Sequence, residues 1–324
     1  MAGVLLKEQI MRGRLTQNDV TNTVNVEDAD AVNAAVRRIF EQRYPGVAFP
    51  LLDRAFADAK RLFGGQYPGY FACDTLYHDL RHTLDMTLAL ARLIDGHDRT
   101  HVAEDQIGPQ RALVGIVIAL FHDAGYIRER SDNVHRNGAE FTKIHVSRSA
   151  AFLARYLDSI GLGRHAAAAS KIVHFTGYEV SVDKIDIEHA LDRKLGYMLG
   201  SADLLGQMSD RLYLEKCRDY LYQEFVWGGI ARERLADGSE KINYHSPEDL
   251  LAKTPTFYQR LALKRLDSHF DGVYRYAEMH FGGGNLYLEG IGCNINYLNE
   301  CLANDDLSRL RRQSISLSLA PPVG

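Results

Sequence analysis

The chain has 324 residues, of which 46% are hydrophobic and 25% charged, and its formal net charge is −4. This length and composition predict a well-formed core in one large helical domain or two smaller ones. The slightly negative balance argues against broad electrostatic attraction to a nucleic-acid duplex or to an anionic membrane, although it leaves a local positive pocket open.

The cysteines and the N-terminus indicate a cytoplasmic protein. The four cysteines are scattered without a C-x-x-C pair, which argues against a disulfide framework or a thiolate zinc site. Leu5 and Leu6 are followed at once by Lys7 and Glu8, which is not the pattern of a signal peptide. The apolar run 112–121 is too short to span a bilayer and reads as a buried helix.

Helix signals dominate the first half of the chain. Residues 1–27 are polar and aperiodic, and they predict an arm that is mobile or packs on a partner subunit. Asp28 is expected to cap a first helix, and a second begins near Pro50 and ends at Gly64-Gly65. Asp74 is expected to cap a third helix with one leucine-rich face.

The second half continues in the same way, and nothing in it reads convincingly as a sheet. Its predicted elements are an apolar helix from Pro109 to about His122, helices over about 139–160 and 164–176, one or two helices within 187–225, a loop or short hairpin after 226, a helix from Thr254-Pro255 to Phe281, and a last helix over 286–303. The fold class is therefore all-α. The predicted division is an arm with the first helix (1–45), a central domain (46–225) and a helical C-terminal extension packed on the same core (226–324).

His122 and Asp123 carry the strongest chemical signal. They follow the long apolar run 116–121, and burying an imidazole and a carboxylate together is costly unless something pairs with them. A helix C-terminus also favours a cation. A divalent metal would satisfy both side chains, whereas the alternative is a polar pair that faces solvent at a helix end.

Other candidate ligands lie on both sides of this pair. His78 and His82 are four apart and would share one helix face. Two histidines further along the chain border apolar faces, and one carboxylate in an apolar helix has no basic residue within a turn; these are His145, His174 and Asp203. Each histidine alone is more often a hydrogen-bonded core residue.

As a set, these residues resemble the HD superfamily of metal-dependent phosphohydrolases, which includes the HD-GYP-like proteins. The order His, His-Asp, His, His, Asp on successive helices carries the likeness over residues 70–225. The segment Tyr77-His-Asp-Leu-Arg-His82 is similar to the His-Asn-x-x-His element of cyclic-nucleotide phosphodiesterases, with Asp79 in place of the Asn. The resemblance implies an HD-domain helical bundle.

The resemblance also implies a site. One divalent ion would be held by His82, His122, Asp123 and Asp203, and Asp123 would bridge to a second ion held by His145 and His174. Nitrogen and oxygen ligands suit iron, manganese, zinc or magnesium. Asp123 would thus be central to catalysis, and His78 would be the general acid that protonates the leaving alkoxide.

Substrate contacts are weaker predictions. Arg81 and Lys143 are plausible phosphate contacts, and Gln207 shares the helix face of Asp203, although all three residue types are common on solvated helices. A base or sugar pocket would come from aromatic residues of the C-terminal region, namely Tyr222, Phe225, Trp227 and Tyr258.

Several functions remain open. The first is a cytoplasmic phosphodiesterase or nucleotide phosphohydrolase that acts on a small-molecule phosphoester, with a homo-oligomer possible. A di-iron oxygenase that resembles inositol oxygenase is the second, and a catalytically silent ligand-binding module is the third. A guanosine-tetraphosphate hydrolase is a weaker variant, because such relatives carry an acidic pair soon after the His-Asp pair, where this chain has Ala124-Gly-Tyr-Ile-Arg128.

Overall fold

The computed structural model describes residues 13–235 and 237–311, and over these ranges the protein is all-α apart from one hairpin. The helices of the first half are α1 (Ala29–Arg43), α2 (Pro50–Phe63), α3 (Leu80–Thr100), α4 (Gly108–Phe121), α5 (His145–Ser159) and α6 (Ala166–Ile172). Those of the second half are α7 (Ala190–Ser209), α8 (Tyr213–Lys216), α9 (Tyr222–Trp227), α10 (Pro247–Phe257), α11 (Tyr276–Phe281) and α12 (Leu286–Ala303).

Shorter segments connect these helices. Single 3-10 turns cover Ala103–Asp105, Ala124–Tyr126, Gly138–Phe141, Gly163–His165, Val173–Phe175, Val182–Lys184, Val273–Arg275 and Leu307–Arg309. Wider π-helical turns cover Cys217–Leu221, Tyr258–Ala262 and Arg265–His269. Strands β1 (Arg232–Arg234) and β2 (Glu240–Ile242) pair antiparallel, with Glu233 opposite Lys241. This hairpin is the excursion predicted after residue 226.

Helix α3 is the centre of the bundle. It packs against α1, α4, α7 and α11, so every residue from His82 to Asp98 is buried. Gly96 is required at the α3–α11 crossing, because a Cβ there would lie 1.8 Å from the carbonyl oxygen of Tyr276. Buried apolar residues from Val20 to Leu310 form one continuous core around this helix.

The N-terminal segment packs on this core. Val20 and Val26 are buried, and the buried Asp19 pairs with the Arg92 guanidinium of α3. The prediction of a mobile or partner-bound arm is therefore wrong for residues 13–27, because an acidic residue in a polar stretch gave no sign of its buried partner. Residues 1–12 of the predicted arm, like residues 312–324, lie outside the described residues.

Local sequence signals placed several helix ends correctly. Asp28 caps α1 through the amide of Asp30, α2 begins at Pro50, and α12 covers the predicted 286–303. None of the helices in the described ranges combines the length and the apolar character that a membrane span requires.

The predicted start of the third helix is wrong. Asp79, rather than Asp74, caps α3 by accepting the amide of His82 at 2.8 Å. Asp74 instead accepts the amide of Gly138 and pairs with Arg128. His78 therefore precedes α3 and does not share a helix face with His82.

In the second half, the region predicted as one or two helices is divided, and one predicted helix start differs. The region 187–225 is broken after Ser209, where the Asp210 carboxylate accepts the amide of Leu212 and turns the chain. The helix predicted from Thr254-Pro255 begins earlier, because Ser246 caps it and Pro247 fits its first turn. Pro255 lies inside α10, and a π-helical turn follows it.

Candidate metal centre

Asp123 lies at the centre of a cluster of imidazoles. It follows α4, is only 2% exposed, and faces side chains from three other positions of the chain. Its Oδ2 is 3.1 Å from Nε2 of His122 and 3.5 Å from Nε2 of His82. Its Oδ1 is 3.8 Å from Nε2 of His145. The two carboxylate oxygens therefore face different histidines.

Asp203 adds a second carboxylate to this cluster. It projects from α7, and its Oδ1 is 3.2 Å from Nε2 of His82. Ligand atoms of His82, His122 and Asp123 all lie within 4.8 Å of one another. Two imidazoles and two carboxylates from α3, the end of α4 and α7 thus converge on one small volume.

The histidine rings are oriented by backbone carbonyls. Nδ1 of His122 donates to the carbonyl oxygen of Ala119 at 2.8 Å, and Nδ1 of His145 donates to that of Thr142 at 2.7 Å. In the neutral ring this leaves the Nε2 lone pair directed at Asp123, which is the arrangement of metal-ligating histidines.

Two atoms of the cluster face each other at 3.1 Å without forming a hydrogen bond. Among the described residues, neither Nε2 of His122 nor Oδ2 of Asp123 makes a hydrogen bond, although both are buried. A buried polar atom without a partner is costly, and a cation between them would supply what is missing. The donor set of nitrogen and carboxylate oxygen suits a first-row divalent ion or magnesium.

Electrostatics in the cluster favour a protonated His122 imidazole beside an ionised Asp123 carboxylate. Burial alone would lower the pKa of His122, but the adjacent Asp123 carboxylate outweighs it and raises the pKa to about 9. Burial acts to raise the pKa of Asp123, yet the surrounding imidazoles, first of all His122, hold it well below the usual range of a carboxyl. A metal ion at this position would therefore compete with a proton on His122.

Gly125 brings His145 to the cluster. A Cβ at Gly125 would lie 1.8 Å from the carbonyl oxygen of His145, so only glycine permits this approach. The amide of Gly125 also donates to the hydroxyl of Ser149 on α5 at 2.8 Å. The turn after Asp123 is thus fixed against the first turns of α5.

His78 reaches the same region from outside α3. Its Nδ1 donates to Oε2 of Glu224 on α9 at 2.6 Å, and Oε1 of Glu224 accepts the amides of Tyr77 and His78. Burial would lower the pKa of His78, but the Glu224 carboxylate raises it to about 9. By contrast, burial lowers the pKa of His145. Tyr126 stacks against both rings, at centroid distances of 4.6 and 4.3 Å.

A cavity of about 480 Å³ opens onto this cluster. His78, His82, Asp123, His145 and Asp203 lie on its wall. Its remaining wall is largely apolar and aromatic and comes from the second half of the chain, including Leu204, Tyr213, Leu221, Phe225, Ile230, Tyr244, Leu250 and Phe257. The volume is typical of a site for a small organic ligand.

The predicted second-ion ligand His174 lies apart from the cavity. It is half-buried, its Nδ1 has no hydrogen-bond partner among the described residues, and it is not on the cavity wall. The α-helix predicted to 176 ends at Ile172, and the tighter turn Val173–Phe175 rotates the side chain away from the α-helical position. Of the ligands predicted for a second ion, His145 and Oδ1 of Asp123 are the ones that the described structure brings to the site.

Some of the predicted substrate contacts line the cavity, and others do not. Lys143 and Gln207 line the cavity, and Lys143 is ion-paired there with Glu233 at 3.1 Å. Arg81 instead pairs with Glu27 and Asp210 away from the cavity wall, so the structure gives it a packing role. Of the four aromatic residues predicted to form a base or sugar pocket, Phe225 lines the cavity, whereas Tyr222, Trp227 and Tyr258 do not.

Three residues in and around the site carry no clear signal in the sequence. Glu224 was a carboxylate among aromatic residues, Tyr126 was one apolar residue in a run, and Arg265 was one of many cations. For Glu224, the available hint was an acidic residue among aromatic ones in the segment Tyr222–Trp227, which matches no known motif. The contacts of these residues depend on segments distant in the chain.

Together, the helical bundle and the buried cluster define a class: an all-α protein with a candidate His/Asp cation site at the base of a cavity. A family profile described as Npun_R2479-like matches residues 69–273. The chain belongs to this Npun_R2479-like family, and the matched range includes every residue of the cluster. No curated protein and no solved structure matches the chain significantly.

Proposed function

We propose that this protein is a metal-dependent phosphohydrolase that acts on a phosphodiester or nucleotide, with one divalent cation held by His82, His122, Asp123 and Asp203. The observation that carries the proposal is the convergence of these side chains around two buried atoms that make no hydrogen bond, Nε2 of His122 and Oδ2 of Asp123. The order of the ligands along the chain is that of the HD-type resemblance.

When bound, a divalent cation supplies Lewis acidity, which activates water and polarises a phosphoryl oxygen. The protein's own residues supply proton transfer. His78, charged through its bond to Glu224, holds a proton for the leaving alkoxide. His145 is neutral and hydrogen-bonded at Nδ1, so its Nε2, which is 3.8 Å from Oδ1 of Asp123, can accept a proton. Two histidines with pKa values moved in opposite directions suit an acid and a base.

A single ion is the form that the geometry favours. A dinuclear centre, as the oxygenase alternative requires, would need more ligands than His145 and one oxygen of Asp123. The silent-module alternative has no specific observation in its favour. The cation's identity is among iron, manganese, zinc and magnesium.

The test combines metal analysis with turnover. Purified protein should contain about one transition-metal ion per chain or bind one added Mg²⁺, and it should hydrolyse bis(4-nitrophenyl) phosphate only when loaded. Asp123→Asn should lose both properties while keeping its helical circular dichroism. The control is Asp192→Asn, which removes a half-exposed ion pair with Arg111. Bound metal without hydrolysis of any phosphoester would contradict the proposal, as would full metal in Asp123→Asn.

A further inference from the structure

Arg265 places a buried positive charge on the cavity wall. It begins the π-helical turn Arg265–His269 and is only 7% exposed. Its Nη2 donates to the carbonyl oxygens of Phe175 at 2.8 Å and Gly177 at 2.6 Å. The guanidinium lies between the rings of Tyr178 and Phe270, at 4.2 and 5.0 Å from their centroids.

Unlike the buried cations Arg92 and Lys216, Arg265 has no acidic partner among the described residues. Arg92 pairs with Asp19, and Lys216 pairs with Asp210 at 2.7 Å. In the ranges that the structure describes, Arg265 forms no ion pair, and both bonds of its Nη2 go to neutral carbonyls. A buried charge without a counter-ion is unfavourable, and aromatic stacking offsets only part of that cost.

The carboxylates of the cavity wall are engaged elsewhere. Glu233 on the wall is bound by Lys143, and Glu224, which lies behind the wall, is bound by His78. Glu179 accepts the amides of Val146 and Ser147 at the start of α5. Asp123 and Asp203 face the histidine cluster, and a divalent cation bound there would neutralise them. The missing counter-charge of Arg265 must therefore come from what enters the cavity.

We propose that Arg265 binds an anionic group of the substrate, separate from the phosphoryl group that reacts at the His/Asp cluster. The apolar wall, with Phe225, Tyr244 and Phe257, suits an aromatic or apolar body between the two ends. The substrate class is thus an organic phosphoester whose organic part carries a second anionic group, a carboxylate or a phosphate. This inference rests on the proposed function, because it assumes that the substrate binds in the cavity.

The experiment uses benzoate and its neutral isostere benzamide as probes, so that binding is measured without turnover. Affinities are measured by calorimetry for the purified full chain, both as isolated and after treatment with EDTA. We expect benzoate to bind at least about tenfold more tightly than benzamide in both preparations, because a charge-assisted guanidinium–carboxylate contact is worth more than a neutral one.

Variants assign this preference to one residue. Arg265→Met should abolish it, and Arg265→Lys should keep only part, because an ammonium cannot hold both carbonyls and a carboxylate in one plane. The matched control is Lys253→Met, which removes a cation on the same wall that is already paired with Asp249 at 2.8 Å. The control should keep the full preference.

Each contrary outcome has a distinct meaning. A preference for benzoate that disappears with EDTA would place the carboxylate on the metal, which overturns the role of Arg265 while supporting the metal centre. The role of Arg265 is also overturned if neither preparation prefers benzoate to benzamide, or if the preference survives in Arg265→Met. If the variants do not fold, a crystal of the wild-type protein with 4-bromobenzoate decides: the bromine's anomalous signal must place the carboxylate at the Arg265 guanidinium.

A binding preference that survives EDTA treatment and depends on Arg265 would support this inference even if no metal-dependent hydrolysis were found. The two proposals can therefore fail separately.

Discussion

Nδ1 of His78 donates a hydrogen bond to Oε2 of Glu224 at 2.6 Å, which joins a residue just before α3 to one on α9. The carboxylate is 1% exposed and also accepts two backbone amides, so it is held rigidly behind the imidazole. This arrangement leaves Nε2 of His78 available to the cavity and keeps the ring charged.

Glu224→Gln should therefore impair protonation of the leaving group. We expect turnover of a phosphodiester with an alkoxide leaving group to fall by about 10²–10⁴-fold. Turnover of one with a 4-nitrophenolate leaving group should fall far less, because this group needs no proton. Steady-state kinetics on the two substrates check this, with the exposed Glu188→Gln as control. Equal losses on both substrates would instead indicate a general disturbance of the site.

Removal of His145 should reduce activity without removing metal. If one ion is bound by the other four side chains, His145→Ala keeps about one ion per chain and loses about 10²-fold or more in turnover. His174→Ala, outside the cavity wall, should change neither quantity. Metal analysis of the two variants decides whether His145 is a ligand. A fall from two ions per chain in the wild type to one in His145→Ala would show a dinuclear centre.

If an anionic substrate contacts Lys143, the ion pair between Lys143 and Glu233 would compete with it. The pair lies at the cavity and is partly solvated, so it is worth at most about 1 kcal/mol. Glu233→Gln should lower KM for a phosphoester by about two- to fivefold with little change in kcat. The matched control is Glu240→Gln on the opposite strand of the same hairpin. An increase in KM in Glu233→Gln would contradict a phosphate contact for Lys143.

Asp85 makes stability depend on pH. Burial, together with Asp210 and Asp19, raises the pKa of this carboxyl to about 7. The folded state therefore holds a proton that the unfolded state releases, so the free energy of unfolding falls as pH rises from about 4 to 7 and is lowest above that range.

Asp85→Asn removes this dependence. Relative to wild type it should gain about 2–4 kcal/mol at pH 8.5 and little at pH 4. Urea unfolding at the two pH values measures the difference, with the exposed Asp186→Asn as the control. A variant that is equally stabilised or destabilised at both values would show that Asp85 does not titrate in this range.

Asp19 anchors the N-terminal segment. It pairs with Arg92, whose Nη1 also donates to the hydroxyl of Tyr287 at 2.8 Å, and all three side chains are buried. Asp19→Ala leaves a buried guanidinium without its counter-ion and should cost about 3–5 kcal/mol of unfolding free energy. Asp30→Ala, which removes an exposed pair with Lys60, should cost less than about 1 kcal/mol. Similar melting temperatures for the two variants would be inconsistent with the anchor.

The histidines and aspartates that converge were visible in the sequence because each stands out locally. His122 and Asp123 follow a run of buried apolar residues, and Asp203 interrupts another apolar stretch. His174 had an equally apolar setting, yet it lies off the cavity wall. The direction of a side chain depends on the exact helical turn that carries it, which apolar spacing alone does not reveal.

The sequence by itself determined the all-α class, the helix starts marked by Asp28 and Pro50, the last helix and the residue types of the cluster, because helix-start signals and apolar periodicity act over a few neighbouring residues. Only the tertiary structure decided that Glu224 holds His78 and that Arg265 lies without an acid on the cavity wall. Those relations join positions far apart in the chain, and burial and charge pairing between distant positions are set by how the helices pack.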